Sequence, residues 1–561
     1  MSDNIPLIVS YGGVNAAGRS AFDFAHKRMT YESQSQENKN ETISSLSQLT
    51  TEISEEFNLK NSLIREIDSK FFEQNCLRSP ELPSKAGGQL PTNFDPAKTY
   101  KSRQHPRSLA MSIFAASDAL KGIGIDWQKI VQKVSPEKIS CVSGCAISTG
   151  DKFGMGGLFQ ANLLGSRTSS KHLAFSLGEM SADFVHAYVL GSMGATGNYM
   201  GACATFQYNL KIGIEQIKSG DSKVCFVGAA ESGLIPEVYE GFSATTGLAE
   251  ERNSLNLQKK LNERSDYVNY EKICRPFGDN VGMSLGESAQ FIVLMDENLA
   301  IELGCNIYGA ALSSHVNADG FKKSISGPGI GNYITVGKTL NEISNSFGED
   351  GLNSMFVHAH GTGTPQNRVT ESHILSELCN VFNINNLPVT GIKSYLGHSL
   401  AAAGGDQVIS SIGTFNDKYI PGIKTIPEVA DNVYKENINF LLEDVELDKD
   451  IDFVLANAKG FGGNNGTALI ASKKKIEEIL KNKYGEKKMQ AYRKKNEAIK
   501  HNLEDFKSEV VSSPPTSIYN FGNGVVDGES DIRFTKNKLH ISKINAEISI
   551  ESALNYKLED K

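Results

Sequence analysis

The chain has 561 residues, 39% of them hydrophobic and 22% charged, with a formal net charge of -8. That much apolar material buries a large core and excludes wholesale disorder, and the acidic balance argues against whole-molecule attraction to nucleic acid or an anionic membrane. The length predicts three to four domain-sized units, or one large α/β core with appended pieces.

The opening MSDNIPLIVSYGG lacks a basic stretch followed by an apolar run, so no signal or anchor is expected and the expected compartment is the cytoplasm. Glu32–Lys70, rich in Ser, Asn, Gln and Glu, reads as an inserted helical segment and a peripheral cap. Leu82–Arg107 reads as a long surface loop before a helix over Ser108–Leu120. Strands are predicted at Ile139–Ser143, Val224–Ala229, Gln290–Met295, Met355–Ala359, Phe453–Ala456 and Thr467–Ala471. Their alternation with amphipathic stretches favours an α/β fold with a mostly buried sheet. Ala187–Leu210, free of charge but with four glycines, reads as buried turn and core rather than a membrane span.

Beyond Ser472 the composition changes. Lys473–Glu509 is helix-favouring and carries a net charge of +5, Pro514 and Pro515 end it, and Leu539–Ile550 alternates as a terminal strand or two would. The predicted organisation is an N-terminal half over 1–295 with an insertion at about 32–107, a C-terminal half over 296–472, and an appendage over 473–561. No repeat is visible between the halves.

Four elements could carry chemistry. In Gly201-Ala202-Cys203-Ala204-Thr205-Phe206 a glycine-rich approach leads into a helix, so Cys203 sits where free N–H groups and the helix dipole favour a thiolate. It is a candidate nucleophile, with a buried structural cysteine as the other reading. The strand ending in His358-Ala359-His360 runs into Gly361-Thr362-Gly363-Thr364-Pro365, which exposes His360 at the carboxyl edge of a sheet. His358 shares its strand face, but no acidic or thiolate partners cluster nearby, and no metal is expected. Lys393-Ser394-Tyr395-Leu396-Gly397-His398-Ser399 precedes small residues that allow close helix packing. Lys459-Gly460-Phe461-Gly462-Gly463-Asn464-Asn465-Gly466 is a turn whose glycines permit unusual φ around Phe461. The eight cysteines include no CxxC pair, which suits neither a disulfide framework nor a zinc ribbon.

Taken together, in this order, these elements resemble the β-ketoacyl-acyl carrier protein synthases, condensing enzymes of fatty acid and polyketide synthesis. The resemblance covers about 6–472 and includes Arg275-Pro276-Phe277, Asp279, Gly286 and Glu287. It implies a thiolase-like fold, with duplicated α-β-α-β-α layers and mixed five-stranded sheets. By the same resemblance Cys203 is the acylated nucleophile, and the N–H groups of Cys203 and Phe461 form its oxyanion hole. His360 and His398 hold the malonyl thioester carbonyl, Lys393 orders the pair, Thr362 and Thr364 line the phosphopantetheine tunnel with Gly462, and Phe461 is a movable gate. Glu371, Glu287 and Asp279 are supporting residues. No cofactor is implied, since substrates arrive on CoA and phosphopantetheine.

Two positions depart from the family. Arg368 stands where an Asp is common, and Gln407, beside Asp406, where an acid is common. The two motif histidines favour the decarboxylating branch over the thiolases, so malonyl-acyl carrier protein is the expected extender. The run Gly12-Gly13-Val14-Asn15-Ala16-Ala17-Gly18-Arg19 and the long C-terminal extension resemble a stand-alone bacterial subgroup that starts fatty acid synthesis from acetyl-CoA. An elongating synthase taking longer acyl-acyl carrier protein, and a non-catalytic partner subunit that sets chain length, are the alternatives; the latter typically lacks the cysteine. Phe206, three residues after Cys203, is expected to share its helix face and shorten the acyl pocket, unless it packs in the core. Carrier protein is acidic, so Lys98, Lys101, Arg103 and the helix after Ser472 are candidate docking residues. The resemblance also implies a homodimer.

Overall fold

A computed structural model describes residues 4–58, 60–77, 81–102, 104–147, 149–263, 266–324, 327–526 and 528–551. Arg103 lies outside them. Ten strands build the centre: β1 (Pro6–Asn15), β2 (Ile139–Val142), β3 (Thr196–Gly197), β4 (Val224–Ser232) and β5 (Leu285–Asp296), then β6 (Gly309–Ala318), β7 (Met355–His358), β8 (Leu387–Thr390), β9 (Phe453–Gly460) and β10 (Asn464–Ser472). The first five pair in the order β1-β5-β4-β2-β3 and the second five in the order β6-β10-β9-β7-β8. Ranked along the chain, both read first, fifth, fourth, second, third. The senses match too, with two antiparallel and then two parallel pairings in each set. A short antiparallel pairing of Leu7 and Ile8 with Ala310 and Gly309 joins the sets.

The helices that pack on these strands and frame the site include α1 (Gln36–Ser47), α2 (Arg107–Lys121), α3 (Thr205–Ser219), α4 (Pro365–Phe382), α5 (Ala403–Asp417), α6 (Lys473–Tyr484) and α7 (Glu486–Ser512). Helices α3 and α5 lie in the middle layer, where Phe206, Leu210, Ile214, Val408, Ile409 and Ile412 share one apolar cluster with residues of β1, β4, β5, β9 and β10. Their close approach requires glycine. A Cβ on Gly405 would lie 2.9 Å from the Phe206 ring, and one on Gly404 would lie 2.2 Å from Gln207 Oε1. Helix α2 covers the outer face of the first sheet with Met111, Phe114, Ala115 and Ala119. The predicted α/β, thiolase-like layering is therefore the observed one.

Three expectations are corrected. The segment Glu32–Lys70 holds helices over Gln36–Ser47 and Ile53–Asn58, but Leu46 and Leu49 enter the main core and Glu56 is buried against Arg28, Arg65 and Thr92. Within the supposed surface loop Leu82–Arg107, Ala86–Gly88 forms a buried strand parallel to β5, because Gly88 has no Cβ to strike the Leu396 carbonyl 1.7 Å away. Ala187–Leu210 is partly exposed, with Tyr199 and Met200 about half accessible to solvent. The tail, read as an appendage, packs on the core through α6 and α7. Gly485, at φ 78°, separates α6 from α7, and Met489, Tyr492 and Val510 are buried. Tyr492 Oη donates to the Cys305 carbonyl at 2.9 Å, and Phe506 packs on Arg19, whose guanidinium forks onto Asp118. Three strands, Ile532–Phe534, Lys538–Ile541 and Ala546–Ser549, then form a small separate antiparallel sheet.

Candidate active site

The strand ends β7 and β9 and the starts of α3 and α5 converge on one cleft of about 270 Å³. Cys203, Thr362, Thr364, His360, His398 and Phe461 all line it. The cysteine sits in a tight 3₁₀ turn, Ala202–Ala204, and α3 proper begins only at Thr205. Ala202 holds φ at 51°, a left-handed conformation costly for alanine, so the turn is held by its surroundings. Gly460 packs against it, since a Cβ there would lie 2.3 Å from the Gly201 carbonyl.

Burial pushes the Cys203 thiol up to about 11, and the nearby Glu231 adds to the rise. The charge of Lys393 and the N–H groups of Phe461 and of Cys203 itself pull the other way. Desolvation thus outweighs the lysine charge and the two N–H groups, and the expected resting thiolate is not favoured. The two N–H groups nevertheless converge beside the sulfur.

The imidazoles of His360 and His398 stand edge to face, 5.4 Å apart. Nδ1 of His360 accepts the N–H of Lys459 at 3.2 Å, and Nδ1 of His398 accepts the N–H of Leu400 at 3.2 Å. An Nδ1 that accepts cannot carry the proton, so each neutral ring bears its hydrogen on Nε2. Burial holds both rings well below the usual histidine range, and the Lys393 charge acts in the same direction. Both therefore stay neutral donors.

Behind the rings, Lys393 Nζ donates to the His360 carbonyl at 2.5 Å. Glu371, on α4, accepts four hydrogen bonds, from the N–H groups of His360 and Gly361 and the side-chain amides of Asn367 and Asn457. That carboxylate fixes the turn that presents His360. Thr362 and Thr364 face each other through their hydroxyls at 3.0 Å. His358 points elsewhere, with both ring nitrogens buried and unpartnered among the described residues. Among those residues no three His, Cys, Asp or Glu side chains come together to hold a metal ion.

The remaining predicted residues take other places. Phe206 is fully buried and lines neither this cleft nor the cavity beside it, so its position gives no support to a role in shortening the pocket. Gly462, at φ 83°, shapes the turn without lining the cleft. Glu287 forks onto Arg107 at 2.6 and 2.7 Å and accepts the N–H of Leu90, which holds the inserted strand on β5. Asp279 meets Arg368, whose Nη1 lies 2.7 Å from the Gly278 carbonyl and 3.3 Å from the Asp279 carboxylate. The unusual arginine thus has its own partners away from the cleft. Lys98 and Lys101 are exposed beside the tail, where Thr99 bonds Ser517, but neither lines the cleft.

Sequence reasoning missed Asp319 and Lys322, which come from a loop without a motif, and Phe242, on the helix Pro236–Ala244. It also missed Glu231, on β4, which accepts the N–H groups of Ala146, Ile147 and Ala401 and is pushed by burial up to about 8. Phe242 lies 5.4 Å from Phe461. This ring pair separates the cleft from an apolar cavity of about 460 Å³ lined by Ile147, Met155, Phe159, Ile235 and Val238.

Models of the beta-ketoacyl synthase N-terminal and C-terminal domains match residues 43–300 and 308–426. The chain is 38% identical to Beta-ketoacyl-[acyl-carrier-protein] synthase FabY of Pseudomonas aeruginosa, over 93% of this chain and 94% of that protein. This chain belongs to the β-ketoacyl synthase family. Among solved β-ketoacyl synthases, the crystal structure of the noncanonical ketosynthase FabY from Pseudomonas aeruginosa superposes with a TM-score of 0.92 at 36% identity, covering 99% of this chain and 98% of that one. A ketosynthase solved in complex with its type II PKS acyl-carrier protein shares the synthase fold at a TM-score of 0.61 and 15% identity, covering 84% of this chain and 99% of that one.

Proposed function

We propose that this β-ketoacyl synthase condenses a short acyl primer with malonyl-acyl carrier protein in fatty acid synthesis. The observation that carries the reading is the paired tautomer: two neutral imidazoles present Nε2–H groups into the cleft that holds Cys203. In the first step the Cys203 sulfur attacks the primer thioester, the N–H groups of Cys203 and Phe461 hold the oxyanion, and the carrier thiol leaves with the cysteine proton. In the second, His360 and His398 hold the malonyl carbonyl oxygen while the bond to the carboxyl carbon breaks and carbon dioxide departs. The enolate carbon attacks the acyl group, the C–C bond forms, and the Cys203 thiolate is released. Lys393 and Glu371 position the histidines, and no metal or organic cofactor is called upon.

The Phe461–Phe242 pair favours a short primer, because it closes the space next to Cys203. The 460 Å³ apolar cavity behind it favours the second reading, an elongating synthase whose gate swings open for longer chains. Acyl carrier protein is the proposed partner, in keeping with the name of the Pseudomonas relative. A homodimer and a cytoplasmic location belong to the same reading, as does the division into halves at about residue 296 with the tail from 473. No helix among the described residues is long and apolar enough to cross a membrane.

The deciding experiment is peptide mass analysis after incubation with acetyl-CoA or, separately, medium-chain acyl-carrier protein, with Cys203→Ala as control. Acetylation of Cys203 followed by an acetoacetyl product on adding malonyl-carrier protein is the expected result. Loading by the longer donor alone supports elongation, and loading by neither overturns the proposal.

A further inference from the structure

Lys322 lines the Cys203 cleft. Its side chain is only 13% exposed, and among the described residues its Nζ has no hydrogen-bond partner. The nearest carboxylate oxygen, Oδ2 of Asp319, is 3.6 Å away. Asp319 is itself occupied: Oδ1 accepts from the Gly331 N–H and from Asn465 Nδ2, and its own N–H donates to the Gly463 carbonyl. The loop is thereby latched onto the turn that carries Phe461, and a Cβ on Gly463 would lie 2.7 Å from the Lys322 ammonium.

A desolvated ammonium without a full partner is costly, and the cost is relieved when an anion joins it. The ionisable groups lining the cleft are Lys322, Lys459 and Asp319, beside two neutral imidazoles and a neutral thiol, so one positive charge is in excess. Lys459 Nζ already donates to Thr370 Oγ1 at 3.1 Å. Lys322 Nζ, with no hydrogen-bond partner among the described residues, is the free donor, and the excess charge of the cleft matches a monoanion. A phosphopantetheine phosphate lies at the far end of its arm from the thioester, whereas Lys322 touches the turn two residues from Phe461. The group that reaches there is the free carboxylate of the extender.

Building on the condensing-enzyme reading, we propose that Lys322 binds the malonyl carboxylate and so selects the extender over an unsubstituted acyl thioester. The ammonium contacts the group that departs as carbon dioxide, while the developing charge moves to the carbonyl oxygen held by His360 and His398. Its contribution is therefore to ground-state binding, read in KM rather than in kcat.

The test is Lys322→Met in the full chain, with Lys322→Arg as the charge-retaining variant, comparing acetyl loading of Cys203 with condensation at varied malonyl-carrier protein. The expected result is loading within about twofold of wild type, a KM for the malonyl substrate raised about tenfold or more with kcat little changed, and recovery in the arginine variant. An unchanged KM in Lys322→Met, or a parallel fall in loading, overturns the assignment while leaving the condensing reading intact. A wild-type protein that neither loads nor condenses overturns both.

Discussion

The side-chain amide of Gln407 donates to the Ala359 carbonyl at 2.8 Å, and to that of Asn457 at 3.0 Å, directly beneath the strand end that carries His360. Two carbonyl oxygens need a donor, and a carboxylate at this position would repel them. Gln407→Glu is therefore expected to lower stability by about 1–3 kcal/mol at neutral pH, with a smaller loss in acid, where the introduced carboxyl can donate. Denaturant melts at pH 5 and pH 8 measure both.

Glu371 collects four donors, two of them from the backbone of the turn that presents His360. Glu371→Gln turns an amide N–H toward one of those donors. Condensation should fall about 100-fold, while acyl loading of Cys203 changes little. Equal losses in the two half-reactions would contradict a role exerted through His360.

Lys393 is the positive charge that pulls the buried Cys203 thiol down. Without it, the thiol should ionise at still higher pH. In Lys393→Met the pH profile of Cys203 alkylation by iodoacetamide is expected to move to the alkaline side, with a slower rate at pH 8.

His358 is held by burial at about 3, with His26 and Lys393 lowering it further. The folded state keeps this ring neutral while the unfolded chain protonates it, so its effect on stability is absent above about pH 6.5 and grows as pH falls below that value. Between pH 8 and pH 5 this one group should cost about 2 kcal/mol. His358→Leu should remove that part of the acid sensitivity, measured as the difference between variant and wild-type stability at the two pH values.

Phe206 has no solvent exposure and packs against Gly405. Phe206→Ala is expected to cost about 3–5 kcal/mol of stability and to leave the primer chain-length profile as it was. A shift toward longer primers would restore its proposed place beside the acyl group.

Cys203, His360, His398 and Lys393 were legible in the sequence because each sits in a short run of glycines and small residues whose spacing is itself the signal. The site's loop residues were not. Asp319 and Lys322 belong to a segment without periodicity, and Glu231 lies in an apolar strand where only the fold reveals what it faces. The recurring strand order was also hidden, since it is a property of pairing between distant segments such as β1 with β5 and β6 with β10. Phe206 takes the core position that was its other reading: three residues along a helix predicts a shared face, but the turn at Cys203 is 3₁₀ and α3 begins two residues later.

The embrace of Arg19 by Asp118 on one side and Phe506 on the other bears on how the polypeptide is made. During synthesis Asp118 emerges from the ribosome early, whereas Phe506 follows almost four hundred residues later. Until then α2 and the loops ending at Gly124 and Gly304 lack the surface that α7 supplies. The first sheet can form as it is translated, but it cannot close its outer layer, so the native state is reached only after the tail is released.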